Sequence, residues 1–316
     1  MSFDGIIEHD APIGTWFGVG GRAQRLARPR SVEQLVDVLH AHAGERVRVL
    51  GDGANLLVHD GGVDGLVLSL DRLRGVDYDG YDATLAPDRP RGVVATVGAG
   101  VRLPKLIVKT VRLGLEGIEV LGGIPASVGG AVVMNAGGAF GEIGSVVESV
   151  ECVTTTGTRL TIPHDELDFG YRRSGLDHLV VASVELQLTH VPGAEQGRVR
   201  QRLSDVMAYK KSSQPMTDRS AGCVFKNPTI AGVRTSAGLL IDRAGCKGLA
   251  CGGARVSERH ANFVVVGDGA SARDVIGLMR LVRERVRDAH GVTLEPEVVL
   301  WARDGVALLD EEGAAV

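Results

Sequence analysis

Residues 121–144 read LGGIPASVGGAVVMNAGGAFGEIG. Gly122, Gly123, Gly129, Gly130, Gly137, Gly138 and Gly141 are too many for one turn. Glycine has no Cβ, so peptide N–H groups in such a stretch can turn toward, and closely approach, phosphate oxygens. The alternative is tight backbone packing with no ligand. The length of the stretch and the embedded MNAGG favour a ligand. A second glycine loop, LGDGANLLV at 50–58, lies between two apolar runs. Neither loop is a G-x-G-x-x-G turn after a first strand, and neither is a G-x-x-x-x-G-K-[ST] loop. Two loops supplied by separate parts of the chain suit a long dinucleotide lying between them.

Outward from these loops, strands and helices mix without regular βα alternation, which reads as α+β. SVEQLVDVLHAHA (31–43) opens with a Ser cap and carries apolar residues at helical spacing. Strands are expected at 65–70, 179–191, 261–269 and the end of 294–301, with 46–58 read as a strand, a glycine turn and then a strand or short helix, 93–103 as a strand running into a turn, and 146–162 as a hairpin around TTTG. Helices are expected at 103–115, 199–214 and 235–245. SARDVIGLMRLVRERVRDAHG (271–291) is the clearest helix, with Ser271 as cap, Asp274 three residues on, an apolar face and a closing Gly291. The polar stretch 82–92 reads as a turn or hairpin tip.

Composition narrows the function classes. The chain has 316 residues, enough for two or three domains with their own cores. Its net charge of −4, with Arg-rich segments interleaved by acids, leaves no basic face for nucleic acid. No apolar run reaches the roughly 18 residues needed to span a bilayer, and MSFDGIIEHDAP lacks a signal-peptide pattern. The four cysteines show no C-x-x-C spacing, so neither a disulfide framework nor a metal site is expected. A cytoplasmic, reduced, monomeric protein is expected.

TWFGVGGRA (15–23), LGDGANLLV, GIPASVGGAVVMNAGGAFG (123–141), FGYRRS (169–174), QPMTDRSAGCVFKNP (214–228), AGLLIDRAGCKG (237–248), GGARVSERHANFVVV (252–266) and LEPEV (294–298) follow one another in order. As a set they resemble the UDP-N-acetylenolpyruvoylglucosamine reductase (MurB) family, over residues 11 to 301. The resemblance implies two FAD-binding subdomains of the vanillyl-alcohol-oxidase (PCMH) type and a third, substrate-binding domain. The expected division is 1–79, 80–212 with the tail 299–316 packed on it, and 213–298. It implies noncovalent FAD and NADPH-driven reduction of an enolpyruvyl ether on a UDP-sugar, giving UDP-N-acetylmuramate for peptidoglycan. A paralogue acting on another enolpyruvyl nucleotide and an FAD oxidase of the same fold remain open.

The chemistry asks for a hydride from a cofactor, fixed positive charge or donors for an enolate, and a positioned acid for the α-carbon. The resemblance assigns Arg172 and Glu297 to the enolate. Cys223 stands where the family usually has serine, the proton donor; a thiol is a far stronger acid than an alcohol, so donation remains sensible. It implies flavin contacts from Gly51, Asp52, Gly53, Ala54, Asn55 and Leu56, and from Gly122, Gly123, Ile124, Pro125, Ser127, Val128, Gly129, Gly130, Asn135 and Gly137. Tyr171, Lys226, Asn227, His260 and Asn262 are expected at the substrate. Lys210, Lys211 and Gln214 are further phosphate candidates, with a solvated helix end the equal alternative. Ala54 and Ala126 replace a common Ser and Gly, and Val266 a common Asn.

Overall fold

The computed structural model describes residues 5–82 and 88–303. Along the chain run β1 (Ile7–Pro12), β2 (Arg22–Ala27), α1 (Val32–Ala41), β3 (Val47–Leu50), β4 (Leu56–Val58), β5 (Val63–Ser69), β6 (Val76–Asp77), β7 (Arg91–Gly98), α2 (Leu103–Arg112) and β8 (Leu115–Glu116). Next come α3 (Val128–Val133), β9 (Gly137–Gly138), β10 (Gly141–Glu142), β11 (Val147–Thr154), β12 (Arg159–Pro163), β13 (Leu179–His190) and α4 (Gln196–Ser213). The remainder is β14 (Thr229–Ile230), β15 (Val233–Arg234), α5 (Ala237–Arg243), β16 (Ala250–Cys251), β17 (Ala254–Val256), β18 (Val264–Val266), α6 (Ala272–His290) and β19 (Val299–Trp301). The class is α+β.

Two compact units share the chain, and neither is continuous in sequence. The first takes residues 1–8, 26–52 and 65–210, the second 9–25, 53–64 and 211–316. Residues 299–303 thus belong to the second unit, where β19 runs parallel to β4; the rest of the expected tail, from 304, lies outside the described residues, as do residues 83–87 of the expected turn at 82–92.

The first unit is built on an antiparallel sheet of order β12-β11-β13-β7-β6, with β8 also on β13. β13 and β7 pair from Ser183↔Gly98 to His190↔Arg91, and their alternating Val, Ala and Leu residues line one core. α2 carries Pro104 in its first turn, where the missing N–H costs nothing. It buries Leu103, Leu106, Ile107 and Val111 in that core, and the chain leaves it through Gly114 at φ +72°. β11 and β12 form the expected hairpin, closed by Thr158 N–H donating to Thr154 Oγ1.

In the second unit α6 supplies the core. Ser271 Oγ accepts from Asp274 N–H while the Asp274 carboxylate accepts from Ser271 N–H, a full capping box, and Gly291 closes the helix in the left-handed region. Val275, Leu278, Met279, Val282 and Val286 are buried against Ala254, Val256 and Val264, together with Phe17 and Leu57 from far upstream. The expected strand at 261–269 is regular only over Val264–Val266.

Candidate active site

Within the first unit the two glycine stretches touch. A Cβ on Gly51 would fall 2.7 Å from Ser127 Oγ, and Arg102 pairs with Asp52 at 3.1 Å. The long stretch is not all loop. Ser127 caps α3 by accepting from Gly130 N–H, and most of its glycines are required by the protein's own chain. Gly129 lies where a Cβ would meet Ala99 at 2.7 Å, Gly137 against Gly141 and Glu142, and Gly122 against Leu203. Its amides are used as well: Val128 N–H donates to Val101 O and Gly129 N–H to Ala99 O. Tight packing therefore accounts for much of this stretch.

The short loop behaves differently. The peptide N–H groups of residues 51–55 donate no hydrogen bond to any described residue. Gly53 sits at φ +65°, with Gly14 O 2.1 Å from where its Cβ would be. A run of unused amides bent through a left-handed glycine is the donor set that a diphosphate requires, so these residues fit a dinucleotide such as FAD.

Arg172 occupies the tip of a two-residue turn closed by reciprocal backbone hydrogen bonds between Gly170 and Arg173. Its φ is +57°, a left-handed conformation costing roughly 1–2 kcal/mol for an L-residue. The turn is held from several sides. Asn135 Nδ2 donates to Gly170 O and its Oδ1 accepts from Gly144 N–H, Arg173 pairs with Asp168, and Ser174 Oγ donates to Val133 O. The Arg172 guanidinium lies over the exposed Tyr171 ring, 5.1 Å from its centroid, and reaches Gly137 O at 3.4 Å. Asn135, expected at the cofactor, is 1% exposed with both ends of its amide engaged in this support. Lys210, in the last turn of α4, is also buried. Desolvation, and then the like charge of Arg172, push its ammonium down to about 8.

In the second unit Cys223 and Glu297 lie on adjacent segments. Glu297 N–H donates to Val224 O at 2.8 Å, and isolated bridges join Cys223 to Phe263 and Phe225 to Pro296. Both catalytic candidates are half-buried. Asn262 fastens this arrangement: Phe225 N–H donates to its Oδ1 at 3.0 Å, its Nδ2 donates to Phe225 O at 2.8 Å, and its own C=O accepts from Val224 N–H. Asn262 is 2% exposed, so its side chain serves the protein's backbone rather than the surface. Asn227 Oδ1 accepts from Ala237 N–H at the start of α5. Lys226 lies 3.7 Å from Glu295. Burial pushes the His260 imidazole below its ordinary range; its Nδ1 accepts from Asn262 N–H and its ring lies edge-on to Phe263. Ser220 Oγ, in the same SAGC segment, is buried without a hydrogen-bond partner among the described residues. Sequence reasoning passed over it because a serine between an arginine and an alanine carries no signal of burial.

Residues 23–163 match the family model of an FAD binding domain. Residues 214–301, which hold Cys223, Asn262 and Glu297, match that of the UDP-N-acetylenolpyruvoylglucosamine reductase C-terminal domain. The protein of that name from Desulfosudis oleivorans is 40% identical over 309 residues, covering 93% of this chain and 94% of that protein. The chain belongs to the UDP-N-acetylenolpyruvoylglucosamine reductase family. Its counterpart in Moorella thermoacetica is 40% identical over 292 residues, 91% of this chain and 89% of that one. The solved reductase (MurB) of Thermus caldophilus shares 39% identity and a TM-score of 0.75, over 91% of this chain and 95% of that one. A reductase of this family is an FAD-dependent oxidoreductase. Among the described residues no cluster of His, Cys, Asp or Glu could hold a metal ion, and no helix is long and apolar enough to cross a membrane.

Proposed function

We propose that the chain reduces UDP-N-acetylglucosamine enolpyruvate to UDP-N-acetylmuramate with NADPH, in the synthesis of a peptidoglycan precursor. The observation that carries this reading is the backbone pairing that sets Cys223 beside Glu297, inside the segment matched by the reductase's own C-terminal model. Residues 51–55 would hold the diphosphate of noncovalent FAD, with the stretch from Gly122 to Gly137 beside them. When bound, the flavin supplies the hydride.

The chain's own residues supply the remainder. Arg172 presents a planar fork that matches a carboxylate and stabilises the charge developing there. Cys223 Sγ gives the α-carbon its proton, and Glu297, in its protonated form, donates a hydrogen bond to the enolate. Lys226, Asn227, His260 and Tyr171 are the substrate contacts in this reading. The division into two FAD-binding parts and one substrate-binding part is likewise the arrangement that this function calls for.

The test is anaerobic. The purified protein is expected to be yellow, with absorbance near ~450 nm as for any oxidised flavin, and to bleach on adding NADPH. Colour should return on adding enolpyruvyl-UDP-N-acetylglucosamine under nitrogen. Return of colour with air but not with that substrate would reject the reading in favour of an oxidase.

A further inference from the structure

α4 buries Val199, Val206 and Lys210 along one face. A lysine at such a position, 9% exposed, is normally matched by a carboxylate. Lys210 is not. Among the described residues no acid pairs with it, and the charge that acts on it is Arg172's, of the same sign. Its helix neighbours are Tyr209, packed edge-on against Phe140 at 5.3 Å, and Lys211. The β9–β10 hairpin links the two cations: Arg172 reaches Gly137 O at 3.4 Å, and Phe140, in the turn between the strands, is the residue that Tyr209 packs against; the buried one has no acidic partner among the described residues. That arrangement is unfavourable until an anion arrives.

Resting on the function proposed above, we infer that Lys210 is a second substrate-binding cation that receives, together with Arg172, the carboxylate of the enolpyruvyl group. The chemistry asks for two charges there. Addition of a flavin-borne hydride to the terminal vinyl carbon moves the C=C electron pair to the α-carbon and onto the carboxylate, which then carries two negative charges. Protonation of the α-carbon returns it to one. Arg172 and Lys210 together hold the resting carboxylate, and their combined charge also offsets the second negative charge that builds during reduction. The desolvation of Lys210 strengthens both interactions.

Binding to the oxidised holoprotein, measured by titration calorimetry, tests this with two ligands: UDP-N-acetylglucosamine enolpyruvate, and UDP-N-acetylglucosamine, which lacks the carboxylate. Lys210→Met is expected to weaken the first by about 10- to 100-fold and to leave the second within about two-fold. The ligand-free variant should melt above the wild type, because an unpaired buried charge has gone. Lys210→Arg, which keeps the charge, should stay within about five-fold of wild type. Equal losses on both ligands would assign Lys210 to the diphosphate and overturn the inference, as would no loss on the first or an Arg variant as weak as the Met one. A yellow wild-type protein that binds UDP-N-acetylglucosamine but not its enolpyruvyl ether would overturn the proposed function itself, and the inference with it.

Discussion

Two buried asparagines hold the segments that carry the catalytic candidates, and they do so differently. Asn262 makes a two-pronged bond to a single residue, Phe225, in a segment that already pairs with its neighbours through regular backbone bonds. Asn135, itself left-handed at φ +40°, ties two separate points, Gly144 and Gly170, and braces a turn whose tip is left-handed too. One clamp reinforces relaxed geometry; the other opposes strain. The Cys223 segment should therefore depend on its asparagine for stability, and the Arg172 turn for shape.

The sharpest way to break this contrast is Asn262→Ala. It leaves the N–H and C=O of the fully buried Phe225 without partners, at a cost of about 3–5 kcal/mol, to be read in urea melts. A change under about 1 kcal/mol would mean that water replaces the amide at no cost. Asn135→Ala should cost less, about 2–3 kcal/mol, but should lower the turnover rate in the surviving folded protein, since the turn carrying Arg172 loosens. Full activity there would show that the turn keeps its shape without the brace.

Cys223 offers a cut through the chemistry that spares the clamp. Cys223→Ser should retain turnover, while Cys223→Ala should lose about two orders of magnitude or more with its melting curve little changed. An unaltered rate in the alanine variant would remove Cys223 from the mechanism. Arg172→Gly should separate stability from activity. Relief of the left-handed strain should raise the stability of the free protein by about 1 kcal/mol while reduction stops. A drop in stability would mean that the guanidinium's contacts with Tyr171 and Gly137 outweigh the strain.

How much of this was legible in the sequence follows a physical divide. Features written in local periodicity came through: the capping box and apolar face of α6, the β11–β12 hairpin, the long β13, and α2 up to its glycine. β1 and β2 were not anticipated, because IEHDAP and RAQRLA are polar and their strand conformation comes from pairing rather than propensity. The motifs single out Arg172, Cys223 and Glu297 as candidates, yet they do not tell whether a polar side chain faces a ligand or its own backbone. Asn135 and Asn262 both sit in motifs that suggest ligand contact, and both turn inward. The same ambiguity holds for glycine: Gly53 adjoins unused amides, whereas Gly129 simply admits Ala99. Distances across the fold decide such cases, and no spacing along the chain encodes them.

Phe17 and Leu57 are core residues of the second unit, while Val298 is among the last. A ribosome adding about 5–20 residues per second takes roughly 12–48 s to travel the intervening 240 or so positions. Through that interval both early side chains lack the helix that will cover them. Cutting the gene at the start of the matched C-terminal segment would produce an N-terminal fragment permanently in that condition, with the Phe17 ring left uncovered.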